Sequence, residues 1–240
     1  NQDGTVVCEV DDSGVTADLW RLNGNPGTNP ATQFLGTLDN VALEVRVNNA
    51  RALRIEPTLA GGNSPAAPNI IGGYFGNSIQ ASIKGATIAG GGSNVSINQV
   101  TYDLGTVSGG AGNLAGGNWA TVSGGLRNEA TAQAAVIGGG SDNEATGPGA
   151  MIGGGTSNLA SSSNATVGGG NSNQATANLT TIGGGSNNLA AWDGATVSGG
   201  SGNKAGFRHV AIGGGSDNQA TGEYAAIPGE MSKAAMVLGQ

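Results

Sequence analysis

The chain has 240 residues, of which 47 are glycine and only 10% are charged, and its formal net charge is −7. The acidic balance disfavours nucleic acid as a partner, because phosphate binding needs a basic face. No run of about 18 apolar residues is present, so the sequence predicts no membrane insertion by this chain.

Residues 1–60 lack the periodicity of the rest and predict an N-terminal module of short strands. Residues 5–10 and 19–22 have the composition of strands. Cys8 is the only cysteine, so it has no partner for a disulfide within the chain. It is therefore either an inert, buried thiol or the site of a bond to another chain.

Residues 41–56 predict a β-hairpin with a three-residue loop at 48–50. This loop places apolar residues opposite one another on one face and opposite charges together on the other, so the register is chemically coherent. The predicted pairs are Leu43 with Ile55, Val45 with Leu53, and Glu44 with Arg54. Residues 61–69, rich in proline, glycine and alanine, predict a connection to the repeat domain.

Residues 70–240 contain an internal repeat of 15 residues, and a fixed period of this kind is typical of a solenoid. Two looser copies at Ile71 and Ile88 precede the strict ones, and their spacings of 17 and 19 residues predict insertions in loops. The aliphatic column, which we expect to form the structural core, is Val107, Val122, Ile137, Ile152, Val167, Ile182, Val197, Ile212 and Ile227.

Three further columns accompany the aliphatic one, with glycine two positions later, asparagine six and alanine eight. Glycine predicts a positive φ at the corner after the strand, and alanine predicts a narrow interior. Asparagine tolerates the left-handed region and can hydrogen-bond along its own column. The predicted asparagine ladder is Asn113, Asn128, Asn143, Asn158, Asn173, Asn188, Asn203 and Asn218.

Together the columns predict an all-β fold, a β-solenoid of stacked 15-residue coils with two short strands and two turns per coil. Helix is excluded, because glycine costs about 1 kcal/mol per helical position and no apolar stripe of period 3.6 exists. Each coil buries few apolar groups, whereas ordering each residue costs roughly 1.5 kcal/mol. The sequence therefore predicts a homo-oligomer in which copies of the chain share a core.

The segments 120–124 (Ala-Thr-Val-Ser-Gly) and 128–130 (Asn-Glu-Ala) resemble the head repeat of trimeric autotransporter adhesins, the YadA-like left-handed β-roll. That family has a slightly shorter period and a Ser-x-Ala motif where this chain has asparagine. The similarity covers about residues 70–240. It implies left-handed parallel coils, a trimer whose three rolls share an axis, and an extracellular position on a bacterial surface.

No catalytic, cofactor-binding or metal-binding arrangement is predicted, and we expect no enzyme. His209 is the only histidine, and no Ser-His-Asp or Cys-His pattern includes it. A calcium ladder needs several oxygen ligands together, but the column that contains Asp142 and Asp217 otherwise holds glycine, arginine, serine and asparagine.

Large side chains collect ten to twelve positions after the aliphatic residue. Exposed aromatic groups on a rigid scaffold can mark an interaction surface. The alternative is that they pack against adjacent chains or cover the corner of the coil. The candidates are Trp119, Trp192, Phe207, Arg208 and Tyr224, with Leu179 and His209 in the same columns.

These features favour a glycine-rich extracellular fibre or adhesin module that associates with itself, as a trimer or head-to-tail in a filament. A host or surface receptor would be a further partner. Head-to-tail coupling is suggested by the apolar run 234–238 and by the strands within residues 1–23, which could cover an open solenoid end. The alternatives are a phage or tail-fibre receptor-binding spike and an ice-binding solenoid, although Val136 and Met151 interrupt the threonine column that ice binding would use.

Overall fold

A computed structural model describes residue 29 and residues 34–59, 66–231 and 234–235. The chain divides into two compact units, Asn1–Val41 and Ala42–Gln240, and the described part of the first contains no strand. Several predictions fall outside the described residues: those on Cys8, on the strands at 5–10 and 19–22, on most of the connection at 61–69, and on head-to-tail coupling through residues 1–23 and 236–238.

The second unit opens with the predicted hairpin, formed by β1 (Leu43–Val47) and β2 (Ala50–Glu56). All three predicted pairs are confirmed, Leu43 with Ile55, Val45 with Leu53 and Glu44 with Arg54. The predicted three-residue loop is wrong, because Asn48 and Asn49 form a two-residue turn with φ of 48° and 56°. A β-bulge between Val45 and Arg46 changes the register, so the shorter turn still leads to the predicted pairs.

Beyond the hairpin, the described residues form a β-solenoid of strands without any helix, which confirms the predicted fold class. The first of its sheets has 13 strands, in which β1 and β2 are followed by eleven parallel strands, one per coil. These strands are β3 (Asn69–Gly72), β5 (Thr87–Ile88), β7 (Thr106–Val107), β9 (Thr121–Val122), β11 (Val136–Ile137), β13 (Met151–Ile152), β15 (Thr166–Val167), β17 (Thr181–Ile182), β19 (Thr196–Val197), β21 (Ala211–Ile212) and β24 (Ala226–Ile227).

The second sheet has 11 strands and carries the alanine column. Its strands are β4 (Ser78–Ile79), β6 (Gln99–Val100), β8 (Leu114–Ala115), β10 (Glu129–Ala130), β12 (Glu144–Ala145), β14 (Leu159–Ala160), β16 (Gln174–Ala175), β18 (Leu189–Ala190), β20 (Lys204–Ala205), β23 (Gln219–Ala220) and β26 (Ala234–Ala235). The left-handed sense of the coils, implied by the resemblance, stays a prediction.

A third parallel ladder, which the sequence analysis did not predict, lies at the position four residues after each buried aliphatic residue. It runs as single bridges from Ala111 to Ser216 and ends in β22 (Gly215–Ser216) paired with β25 (Glu230–Met231). Each regular coil therefore has three sides that pair with its neighbours. The third side escaped notice because one bridge per coil leaves no apolar alternation in the sequence.

The core is a narrow column inside the coils. All nine aliphatic residues from Val107 to Ile227 are at most 3% exposed. A second alanine column, two positions before the aliphatic residue, lines the interior as well, with Ala120 and Ala150 fully buried. The interior of most regular coils thus holds one aliphatic side chain, two small side chains and one asparagine, and Val210 replaces one of the alanines in the coil of Ile212.

The close contact that excludes a Cβ lies one residue later than the predicted glycine column, although four glycines of that column, Gly124 among them, have the predicted positive φ. A Cβ added to Gly184, two positions after its aliphatic residue, would have no atom within 4 Å. Gly155, three positions after Ile152, has a φ of 88°, and a Cβ there would lie 2.1 Å from the carbonyl oxygen of Gly170. The second glycine of each pair is therefore the one that the close approach of the next coil requires.

The hairpin caps the first coil. Strand β2 pairs antiparallel with β3, so the first sheet does not begin with a bare parallel edge. The guanidinium of Arg51 also donates to two carbonyl oxygens of the first coil, at 2.5 Å from Phe75 O and 2.8 Å from Asn77 O. The extra residues of the two looser copies lie between β4 and β5 and between β5 and β6, outside the strands as predicted.

Candidate interaction surface

A tight turn occupies positions ten to thirteen after the buried aliphatic residue of each regular coil. In most of these turns the N–H of the fourth residue donates to the carbonyl of the first, as from Ala195 to Trp192 at 2.9 Å. In the turn 177–180 the hydroxyl of Thr180 donates to the carbonyl of Ala177 at 2.7 Å. The third residue has a positive φ, as a type II turn requires. Successive turns are joined directly, since the N–H of His209 donates to the carbonyl of Asp193 at 3.1 Å. The backbone thus places equivalent residues of successive turns one above another.

Bulky residues occupy the third position of several turns, where glycine or asparagine would be least strained. In chain order the third residues are Trp119, Ala134, Gly149, Asn164, Leu179, Gly194, His209 and Tyr224. Their non-glycine members have φ between 53° and 59°, a conformation that costs an L-residue about 1–2 kcal/mol. Large side chains held at a conformational cost are a pattern typical of functional positions.

The large side chains of four successive turns, from 177–180 to 222–225, form one patch. We call it the aromatic corner: Leu179, Trp192, Phe207, Arg208, His209 and Tyr224. The ring of Trp192 stacks on that of Phe207, with centroids 6.1 Å apart and planes inclined by 15°. His209 stacks on Tyr224 in the same way, at 5.3 Å and 13°. These stacks link consecutive coils, and they leave Trp192 48% and Tyr224 70% exposed.

The structure brings four of the five predicted interaction residues together. Trp192, Phe207, Arg208 and Tyr224 lie in the aromatic corner. Trp119 does not, because its turn lies four coils from the nearest turn of the corner, a distance of about 19 Å. Trp119 shares its part of the surface with Tyr102 and Leu104, which are 51% and 45% exposed. The turns between the two groups carry no aromatic and no large apolar side chain.

The second residues of the turns add an alternating series of charges to the corner. Asp193, Arg208 and Glu223 follow one another at intervals of one coil. Arg208 and Glu223 are exposed, and among the described residues neither forms an ion pair. One carboxylate oxygen of Asp193 accepts the N–H of Asn178 at 3.1 Å.

Arginine and aspartate in adjacent coils do form an ion pair at another corner. Arg127 donates to Asp142, one coil further on, at 2.7 Å and 3.0 Å. The hydrogen bond from Arg127 and a second one from Ser141 lower the pKa of the Asp142 carboxyl, and the Asp142 carboxylate raises the pKa of Arg127. One-coil spacing is therefore close enough for an ion pair where the side chains turn toward each other.

The asparagine ladder lies at the opposite, buried corner of the coil, and its eight predicted members are at most 1% exposed. The side-chain amide of Asn158 donates at 3.0 Å to the carbonyl oxygens of Gly154 and Gly170 and to the amide oxygen of Asn143. Its own amide oxygen accepts the backbone N–H of Asn173 at 3.0 Å. Each asparagine thus joins three coils.

Two members of this ladder were missed by the sequence analysis. Asn77 and Asn98 occupy the same corner in the two looser copies, where Asn77 donates to Gly72 O and Gly91 O and Asn98 donates to Gly90 O and Gly110 O. Asn77 could have been found, since it follows Ile71 by the regular six residues. Asn98 is displaced by the insertion that precedes it.

The described residues contain no group of three or more histidine, cysteine, aspartate or glutamate side chains that could hold a metal ion. No helix among them is long and apolar enough to span a membrane. No protein-family model and no curated protein sequence matches the chain.

Proposed function

We propose that this chain is a rigid, non-enzymatic module of an extracellular fibre or adhesin, assembled from several copies of itself. The observation that carries the proposal is the unbroken stacking of eleven coils on parallel ladders. With strands roughly 4.8 Å apart, such a stack is a rod about 50 Å long. A rod of constant cross-section is suited to spacing and display.

The aromatic corner supports the same proposal from the surface. A continuous set of exposed apolar side chains is typical of a surface that meets another macromolecule. It is mounted on backbone that is held by hydrogen bonds to the neighbouring coils, so the side chains are presented on a rigid support. We propose the cell surface as the location, and a receptor or another copy of the chain as the partner.

The proposed assembly is a homo-oligomer, with the trimer favoured by the resemblance and by the thin core. The test combines light scattering, which measures the mass in solution, with negative-stain electron microscopy, which measures the length of the particles. We expect a mass of three chains, or particles several times longer than one rod. A folded monomer at micromolar concentration, seen as isolated short particles, would contradict the proposal.

A further inference from the structure

We propose that the aromatic corner is a self-complementary surface that joins two copies of the rod side by side in antiparallel orientation. This goes beyond the proposed function, because it names one surface, one occupant and one orientation. The contact is distinct from a trimer of parallel rods about a common axis. In a fibre it would connect neighbouring rods or neighbouring assemblies.

The first support is that the apolar residues of the corner need a cover. Leu179, Trp192, Phe207 and Tyr224 are between 42% and 70% exposed on four successive turns. The turns do not need these side chains, since the turns 132–135 and 147–150 have alanine or glycine at both the first and the third position and keep the hydrogen bonds to the preceding turn. The large groups therefore serve contacts outside the chain.

The second support is the charge series. Arg208 lies one coil from Asp193 and one coil from Glu223, yet no ion pair within the described residues involves it. Arg127, with the same spacing to Asp142, does pair within its own rod. The charges of the aromatic corner are thus free to pair across an interface, where they would set the register.

The third support is the match between turn residues when the aromatic corners of two copies face each other. In an antiparallel pair, the order of the turns reverses while first, second and third turn residues still face their own kind. With the twofold axis midway between turns 192–195 and 207–210, Asp193 faces Arg208 of the second copy, and Arg208 faces Asp193. Two ion pairs form by symmetry, as an isologous interface requires.

The same axis matches the sizes of the apolar groups. The facing positions are Trp192 with Phe207, Leu179 with Tyr224, and Gly194 with His209, each formed twice. Large aromatic groups meet at the centre, and the absent side chain of Gly194 leaves room for His209. In a parallel pair, equivalent residues meet at the same height, which places Arg208 beside Arg208. The charge order therefore favours the antiparallel pair.

The experiment measures self-association by sedimentation over a concentration series up to about 0.5 mM, using the full chain and three variants. Arg208→Asp replaces both ion pairs with repulsions, and we expect the dissociation constant to rise about tenfold. The double variant Asp193→Arg/Arg208→Asp exchanges the charges and should recover association to within about threefold of the parent. Arg127→Asp carries the same change of charge on another corner and should leave association unchanged.

Orientation is tested with cysteine variants in a Cys8→Ser background. Asp193→Cys and Arg208→Cys chains are given different mass tags, mixed and oxidised. The antiparallel pair predicts disulfides between the two variants in preference to disulfides within either one. Preferred disulfides between like variants, association that is indifferent to Arg208→Asp and the double variant alike, or a monomer throughout the concentration series would overturn the proposal. Circular dichroism of each variant checks that the coils remain folded.

Discussion

Two corners of the same coil are stabilised by different kinds of interaction. The asparagine corner is buried, and one residue type fills it in eight successive regular coils because three coils share the hydrogen bonds of each side chain. The turn at the aromatic corner is held mainly by backbone hydrogen bonds, so its side chains range from glycine to tryptophan. The fold therefore determines the side chain at the asparagine corner, whereas it leaves the side chains at the aromatic corner free to vary.

The largest effect should come from the first-sheet strand that follows the exposed turn. Ile152→Asp places an unpaired carboxylate in the core column and should lower the free energy of unfolding by about 3–5 kcal/mol, because burial of a charge is not compensated there. The matched control is Met151→Asp, one residue earlier, where the side chain is 48% exposed. Thermal unfolding followed by circular dichroism gives both values. Equal losses would contradict the assignment of inner and outer positions.

The next largest effect should appear at the buried corner. Asn158→Leu keeps the size of the side chain but leaves the carbonyl of Gly154 and the N–H of Asn173 without partners. The carbonyl of Gly170 loses one of its two hydrogen bonds, since it also accepts the N–H of Thr156. Each unsatisfied buried group costs about 1–3 kcal/mol, so we expect a total loss of at least about 2 kcal/mol. Asn178→Leu, at the exposed corner, should change stability by less than about 0.5 kcal/mol. Chemical denaturation of the two variants decides whether the corners differ as described.

A larger side chain in the narrow interior should have an intermediate effect on stability. Ala160→Leu adds three carbons at a fully buried position and should cost about 1–3 kcal/mol through overpacking. Pro148→Ser, in a turn at the exposed corner, should stay within about 0.5 kcal/mol of the parent. A melting temperature for Ala160→Leu equal to that of Pro148→Ser would mean that the interior has room to spare, which the burial of both alanine columns argues against.

The smallest expected effect is a gain in stability. Ala134 is exposed and has a φ of 55°, so Ala134→Gly relieves a left-handed conformation and should stabilise the coil by about 0.5–1 kcal/mol after the entropy cost of glycine. Ala135→Gly, the next residue, removes a fully buried methyl group and should destabilise. Opposite signs for neighbouring alanines would separate the strain of the exposed turn from the packing of the core. A loss in both variants would argue against strain at Ala134.

The sequence was sufficient for the parts of the fold that repeat. Val107 and its equivalents mark the inner strand because an aliphatic residue recurs at this one position in every coil, and Asn113 and its equivalents mark the buried corner by their invariance. The third ladder could not be predicted, since Ser141, Thr156 and Asn171 form it through backbone bridges that impose no side-chain pattern. The bulge in the hairpin escaped for the same reason.

The candidate surface was predicted less completely. The columns alone identify Trp192, Phe207 and Tyr224 as occupants of one corner, because residues at equal positions of a 15-residue coil must stack. The positive φ that Tyr224 and Leu179 adopt is a property of the turn geometry, and so is the absence of an ion pair between Arg208 and any other described residue. Both depend on the backbone conformation of the turn, which the pattern of residues in the sequence does not specify.

The stacking of short coils also has a mechanical consequence. Each regular coil contributes roughly 4.8 Å to the length of the rod, whereas its 15 residues span about 50 Å when fully extended. A force along the axis that detaches one coil therefore replaces roughly 4.8 Å of rod with about 50 Å of extended chain. Because the ladders repeat in register, successive coils would unfold one at a time under force, and each would add the same length to the chain.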